Sequence, residues 1–255
     1  MSWAARRRFI ILLIIGAVVV AFLTTLGIAT FYKAPSCADG AQNQDETGVD
    51  CGGSCAYLCI AQQQPPTVLF TKAIQNGEGR IDVIAMIENK NANAAAKNVS
   101  YTITLYGADQ SLIQEVSGVL DLPPGTSVPV FVPGISSGKQ MIARAFLEIV
   151  SSSLRWFSLS PNSRMVPTVS NTKHGGTMIS APRIEAILTN QSVTILTNVK
   201  VIVLVRNNNG DIIAVSSTIV PTIQAQSQAT ATFTWNEAFS SVPASIEVVP
   251  IISLP

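Results

Sequence analysis

The segment Asn98–Tyr106, NVSYTITLY, decides the fold class of this chain of 255 residues. Apolar or aromatic positions alternate with hydroxyl-bearing ones along it: Val99, Tyr101, Ile103 and Leu105 against Ser100, Thr102 and Thr104. A two-residue period is typical of a β-strand with one buried face. The segment Asn198–Arg206, NVKVIVLVR, has valine at the same four inward positions. Together with the abundance of Val, Ile, Thr and Ser, the pattern predicts an all-β protein.

These two segments belong to a longer internal repeat. Pro66–Lys72 (PTVLFTK) returns as Pro167–Lys173 (PTVSNTK), and Arg80-Ile81-Asp82 returns as Arg183-Ile184-Glu185. The turn Gly107–Gln110 likewise matches Asn207–Gly210. The offset stays between 100 and 103 residues, which fits tandem domains better than a solenoid. We expect a first domain at residues 66–162 and a second at 163–255, with the boundary near Ser160–Pro167.

Further strand-like segments complete each copy. They are Leu112–Leu120, Val128–Val132 and Met141–Val150 in the first copy and Ile212–Val220 in the second. Turn residues such as Pro123-Pro124-Gly125 and Asn209-Gly210 separate them. Six or seven strands per copy predict two tandem immunoglobulin-like β-sandwiches. Neither copy contains a cysteine, so the immunoglobulin disulfide is missing.

The first copy resembles the FxLYD-type domain, whose motif is an NV-x-x-x-x-x-LY strand followed by L-x-P-G. The matching positions are Asn89, Asn98-Val99, Leu105-Tyr106 and Leu122-Pro123-Pro124-Gly125. The resemblance implies a small β-sandwich on a membrane-anchored bacterial or archaeal protein, in a family without assigned catalysis. The second copy departs from the motif, with Val205-Arg206 in place of Leu-Tyr, so its membership depends on the repeat.

At the other end, Phe9–Tyr32 runs for 24 residues without a charge. As a helix it would cross a hydrocarbon core of about 30 Å. Arg6, Arg7 and Arg8 directly precede it, and clustered arginine stays in the cytoplasm. We expect a cytoplasmic stub at residues 1–8, a single-pass signal-anchor in the bilayer at 9–32, and residues 33–255 outside. A signal peptide cleaved near Gly27 and Ala29 is the alternative.

All four cysteines follow within a short segment at residues 33–65 that ends in a polar linker. Cys37, Cys51, Cys55 and Cys59 are spaced C-x13-C-x3-C-x3-C. Outside the membrane an even number of cysteines in so short a span indicates two disulfides, with three possible connectivities. A metal site of four thiolates is the alternative, although zinc sites usually carry paired C-x2-4-C knuckles.

Four acids lie among these cysteines: Asp39, Asp45, Glu46 and Asp50. Oxygen ligands at close range could bind calcium, but the spacing does not match an EF-hand, and solubilising the loop is the simpler interpretation. Beyond that, no cofactor is expected. The segment resembles a cysteine motif of bacterial surface proteins, C-x-DG-x-x-N-x-DET-x-x-DCGG-x-C. That resemblance implies an exported, envelope-facing setting.

Composition and motifs give little support for catalysis or nucleic-acid binding. The formal net charge is +1 with scattered basic residues, so no nucleic-acid partner is expected. The one histidine, His174, has no acid nearby in sequence, and no G-x-S-x-G or phosphate-loop motif occurs. The acids Asp82, Glu88 and Glu148 lie in strands, where a solvent-facing side chain is expected. Asn98-Val99-Ser100 and Asn190-Gln191-Ser192 match the N-glycosylation sequon, at the frequency chance would give.

The sequence therefore favours a non-catalytic, membrane-anchored binding or scaffolding protein with an unidentified protein partner at the envelope. A structural spacer or subunit of a surface assembly is the alternative, and an unrecognised hydrolase is a weaker one. A candidate contact surface comes from comparing the repeats. The outward positions of the long strand in the second copy are Lys200, Ile202, Leu204 and Arg206. Because exposure of apolar side chains to water is unfavourable, we expect these positions to be buried by a partner, by the first domain or by the stretch Thr177–Pro182.

Overall fold

The computed structural model describes residues 3–31, 36–77, 79–136, 138, 140–175 and 182–255. This part of the chain contains one α-helix, at the N-terminal side, and thirteen β-strands paired in antiparallel sheets. The prediction of an all-β protein with one N-terminal helix is confirmed. By its internal contacts the chain divides into two compact units, Met1–Cys55 and Ala56–Pro255.

Helix α1 (Trp3–Phe31) contains residues 9–31 of the uncharged segment. Its part Arg6–Thr30 is long and apolar enough to cross a bilayer, and its apolar side chains are exposed rather than packed in a core. The hydroxyls of Thr24 and Thr25 donate to carbonyl oxygens one turn earlier in the helix, so neither needs water as a partner. These properties are those of a membrane anchor or of a signal sequence. Tyr32 and Lys33 lie outside the described residues.

Seven strands form the first module. They are β1 (Thr67–Gln75), β2 (Arg80–Asn89), β3 (Ala94–Gly107), β4 (Leu112–Leu122), β5 (Thr126–Ser136), β6 (Ile142–Ile149) and β7 (Trp156–Ser158). One sheet has the order β1-β2-β5, and the other has the order β4-β3-β6 with β7 also paired to β3. The core lies between these two sheets. The inward side chains predicted for β3 are buried in it, beside Trp156, which is 1% exposed.

Six strands form the second module. They are β8 (Thr168–Gly175), β9 (Arg183–Asn190), β10 (Leu196–Arg206), β11 (Ile212–Ile223), β12 (Ser227–Thr234) and β13 (Ser245–Ile251). Its sheets, β12-β9-β8 and β11-β10-β13, repeat the strand order of the first module. Among the described residues, every strand pairing lies within one module or the other. The residue boundaries proposed for the two domains stay a prediction.

In each module, one buried asparagine side chain forms hydrogen bonds to two different strand connections. These are β2–β3 and β4–β5 in the first module, and β9–β10 and β11–β12 in the second. The side-chain amide of Asn89 donates to the carbonyl oxygens of Ala94, at 2.8 Å, and Pro123, at 2.8 Å, while its own oxygen accepts from the Asn91 N–H. Asn190, 101 residues later, makes the same set of bonds: it donates to Thr194, Ile223 and Gln224 and accepts from Ser192. These buried backbone groups cannot form hydrogen bonds to water. The asparagine side chain supplies the partners that they need.

The second module also keeps a turn for which its sequence has no Pro-Gly signal. Gly125 has φ +59° and donates its N–H to the carbonyl of Asn91. Gln226 takes the equivalent position with φ +51° and donates in the same way to Ser192. Left-handed backbone is uncommon for glutamine. The turn geometry is therefore conserved between the modules by hydrogen bonding, although the residue type that favours it is not.

Candidate functional site

Strands β2 and β10 are buried on both faces. Every residue from Ile81 to Ile87 is buried, and so is every residue from Val201 to Val205. One face of each strand lies on the core of its own module. The other face lies at the junction, which we define as the contact between sheet β1-β2-β5 of the first module and sheet β11-β10-β13 of the second.

The junction has its own apolar core. Its buried members from the first module are Ile84, Met86 and Phe131, and those from the second are Ile202, Leu204, Ile212 and Val215. Partly buried residues of both modules, among them Phe70 and Val249, pack around it. Each fully buried aliphatic side chain contributes roughly 1.5–3 kcal/mol relative to exposure. A continuous cluster of this size couples the folding of one module to the other.

The four residues named as a contact surface all lie at this junction. Ile202 and Leu204 are fully buried in the cluster. The Arg206 guanidinium lies 5.8 Å from the ring centre of Phe70 in the first module, and Lys200 borders a groove beside Phe131. The surface is thus covered by the first module of the same chain, one of the covers considered from the sequence. Of the alternative cover Thr177–Pro182, residues 177–181 lie outside the described residues.

A polar clamp holds residues 252–255 of the second module against the first. The Asp121 carboxylate of the first module accepts the Leu254 N–H at 2.8 Å. The Arg164 guanidinium, from the segment between β7 and β8, donates to the Ile252 carbonyl. Lys97 Nζ donates to the Pro255 carbonyl at 3.0 Å. Burial lowers the pKa of Arg164, and the negative charge of Asp121 opposes that shift. Leu254 itself is 3% exposed, so this clamp closes one side of the junction.

On another side the two modules leave a cleft of about 600 Å³. Its apolar wall includes Ile74, Ile212 and Trp235, and polar side chains line the rest. Lys72 of the first module and Asp211 of the second face each other across it at 4.0 Å. Small-molecule sites commonly have this volume and occur between domains. The cleft is the candidate binding site of the two β-modules.

Asp82, which we expected to face solvent, is buried beside this cleft at 5% exposure. Its two carboxylate oxygens accept from the Gly134 N–H and from the Asn76 side-chain amide, both at 2.7 Å. The expectation was wrong because β2 is covered on both faces, so no position along its centre is open to water. Asp82 fixes the ends of β1 and β5 around β2.

The outer sheet face of the first module is more open. Its positions Ser100, Thr102 and Thr104 are partly exposed, as expected for a solvated face. Phe146 is 54% exposed and packs edge-on against Tyr106, with ring centres 6.0 Å apart. This face corresponds, by the repeat, to the face of the second module that is buried at the junction.

The cysteines are all paired, as predicted. Cys37 and Cys55 form a disulfide with a Cα–Cα distance of 5.7 Å, and Cys51 and Cys59 are disulfide-bonded too. Cys37, Glu46 and Cys55 form the one group of three metal-ligand types found together among the described residues. Two of those three are joined to each other, so they offer no thiolate to a metal in this oxidised state.

The acids of the cysteine segment hold its loop together. The Asp50 carboxylate accepts the backbone N–H groups of Asp39 and Gly40, at 2.9 and 3.0 Å. Asp45 accepts from the Ser54 hydroxyl at 2.8 Å, and Glu46 accepts from the Asp50 N–H at 3.3 Å. The Asp39 carboxylate accepts from the Asn43 side-chain amide at 2.9 Å, so each of the four acids has a structural role in the loop. Calcium binding by the four acids stays a hypothesis.

The remaining sequence candidates are placed as follows. Arg6, Arg7 and Arg8 lie on the first turns of α1 and are exposed. His174 lies on β8, opposite Ile184 of β9. The buried amides of Asn89 and Asn190 and the second buried face of β2 were not predicted from the sequence. The uninterrupted apolar run Val83–Ile87 was the available signal for the latter.

Comparisons with known proteins add little to this picture. No family model matches the chain, and a search of curated proteins finds no match. Among solved structures, the chain is similar to red sea bream transglutaminase with 9% sequence identity and a TM-score of 0.25. The likeness covers 76% of this chain and 32% of the transglutaminase chain, so this chain spans about a third of its length. A likeness at this level carries no functional argument.

Proposed function

We propose that the chain is a membrane-anchored, non-catalytic binding or scaffolding protein that holds its β-modules outside the cell. In this proposal α1 is an uncleaved signal-anchor with Arg6, Arg7 and Arg8 in the cytoplasm. The modules are tandem immunoglobulin-like domains, the first of them FxLYD-like. The apolar helix, the arginines before it and the disulfides, which persist in oxidising compartments, support this arrangement.

The observation that carries the proposal is the junction. Two modules joined only by a linker would move independently, as is the default for small interfaces between domains. Here Ile202 and Leu204 are fully buried against the first module, and the segment 252–255 is clamped to it. The two β-modules therefore keep one arrangement, as a scaffold requires, and the cleft between them keeps one geometry for a ligand. Binding through that cleft is part of the proposal.

A structural spacer is the second candidate, and the partly exposed Ser100, Thr102 and Thr104 on the outer face of the first module favour it. A spacer needs the fixed arrangement but not the cleft. Glu237 lines the cleft and is exposed. A partner that crosslinks specifically at Glu237 would therefore support a binding function over a spacer function.

Protease added to intact cells or spheroplasts should digest the chain beyond about residue 33 and leave the helix protected. The reason is the arginine cluster, which is retained on the cytoplasmic side. A cytoplasmic marker protein, protected until the membrane is opened, is the control. Replacing Arg6, Arg7 and Arg8 with glutamine should reduce the digested fraction, because the orientation signal is lost. Complete protection of the β-modules, or a secreted chain that lacks α1, would contradict the proposed anchor.

A further inference from the structure

The two sequons of the chain have opposite structural settings. At Asn190 the side chain is 1% exposed, and its amide nitrogen donates to three carbonyl oxygens, those of Thr194, Ile223 and Gln224. A sugar on this nitrogen would remove a donor and would require space that the buried site lacks. Folding of the second module and modification of Asn190 therefore exclude each other.

Asn98 has the reverse properties. It lies at a bulge of β3, with φ +54°, between the buried residues Ala96 and Val99. The bulge turns both Lys97 and Asn98 to solvent, where a regular strand would alternate. The backbone there is held by its own bond, from the Asn98 N–H to the Asp121 carboxylate at 2.9 Å. The fold thus makes no use of the Asn98 side-chain amide and leaves it open.

The equivalent position in the second module shows which part of the motif is structural. Asn198 has φ +52° at the same place, because asparagine tolerates left-handed backbone better than most residues. The third residue of the triplet that begins at Asn198 is Lys200, however, where the first module has Ser100. Backbone geometry explains the shared Asn-Val pair. At this position of the repeat, the hydroxyl that completes a sequon is present in the first module, as Ser100, and is replaced by Lys200 in the second.

We propose that Asn98 is an asparagine-linked glycosylation site and that Asn190 is not. The inference rests on the proposed function, because transfer takes place on the extracytoplasmic side. The donor would be an oligosaccharide carried on a lipid diphosphate, used by a transferase of the host. The Asn98 amide nitrogen bonds to the anomeric carbon and loses one proton. The carbon–oxygen bond to the diphosphate breaks, and the lipid diphosphate leaves with the electron pair.

The proposal is tested by expressing the full chain in a eukaryotic secretory pathway and extracting it, folded, from membranes. Modification is then measured separately at Asn98 and at Asn190. Enzymatic release of N-glycans converts a glycosylated asparagine to aspartate, which peptide mass spectrometry detects. We expect conversion at Asn98 and none at Asn190. The variants Asn98→Gln and Ser100→Ala should both lose the electrophoretic shift, whereas Ser100→Thr, which keeps the sequon, should retain it.

Protease protection on the same membranes tests the proposed membrane orientation separately from the proposed glycosylation site. If the β-modules are lumenal but Asn98 is unmodified in the folded protein, the glycosylation site is wrong and the anchor stands. If the β-modules face the cytosol, both are wrong. Conversion at Asn190 in the folded fraction would overturn the argument from burial.

Discussion

The double variant Ile202→Thr/Leu204→Thr is expected to melt on the order of 10 °C or more below the unmodified chain. Both side chains are fully buried between the modules, against Ile84, Met86 and Phe131. Each substitution removes roughly 1.5–3 kcal/mol of apolar burial and places a hydroxyl where no water reaches it. For a folded unit of this size, about 1 kcal/mol corresponds to roughly 2–4 °C.

The matched control makes the same kind of change on the surface of the same module. Ile195 and Ile219 are 55% and 61% exposed, so replacing both with threonine should shift melting by a few degrees at most. Circular dichroism of the full chain in detergent gives both melting temperatures. Equal shifts for the two pairs would mean that the junction cluster does not form in solution.

The second large effect is expected from Asn89→Ala. We expect it to lower the free energy of unfolding by on the order of 3 kcal/mol, since it leaves buried carbonyl groups and the Asn91 N–H without their partner. Asn190→Ala should cost a similar amount, because the second module repeats the network.

Asn93→Ala is the control for this pair, because Asn93 is exposed in the same turn and should change stability by less than about 0.5 kcal/mol. Chemical denaturation, followed by tryptophan fluorescence, measures the three variants. An Asn89→Ala variant as stable as Asn93→Ala would show that the buried amide is not needed to fix the turns.

Features determined by local sequence could be predicted. The uncharged run of α1, the alternation along β3 and the paired cysteines each depend on residues close together in the chain. The hairpin turns also follow from local signals, as at Asn207–Gly210, where Gly210 has φ +81°.

Features determined by contacts between distant parts of the chain could not be predicted from the sequence. The clamp joins Asp121 to Leu254 across 133 residues, and no local pattern links them. Ile202 and Leu204 clearly needed a cover, but the sequence could not say whether it came from a partner, a loop or the first module. The cover became evident only because β2 presents a second apolar face, through Ile84 and Met86.

Calorimetry of the full chain in detergent micelles tests most directly whether the two modules form one body. Since the junction buries a shared core, we predict one transition for β1–β13, with equal calorimetric and van 't Hoff enthalpies. Two resolved transitions, or one peak whose calorimetric enthalpy is about twice the van 't Hoff value, would mean that the modules unfold independently and would contradict the account.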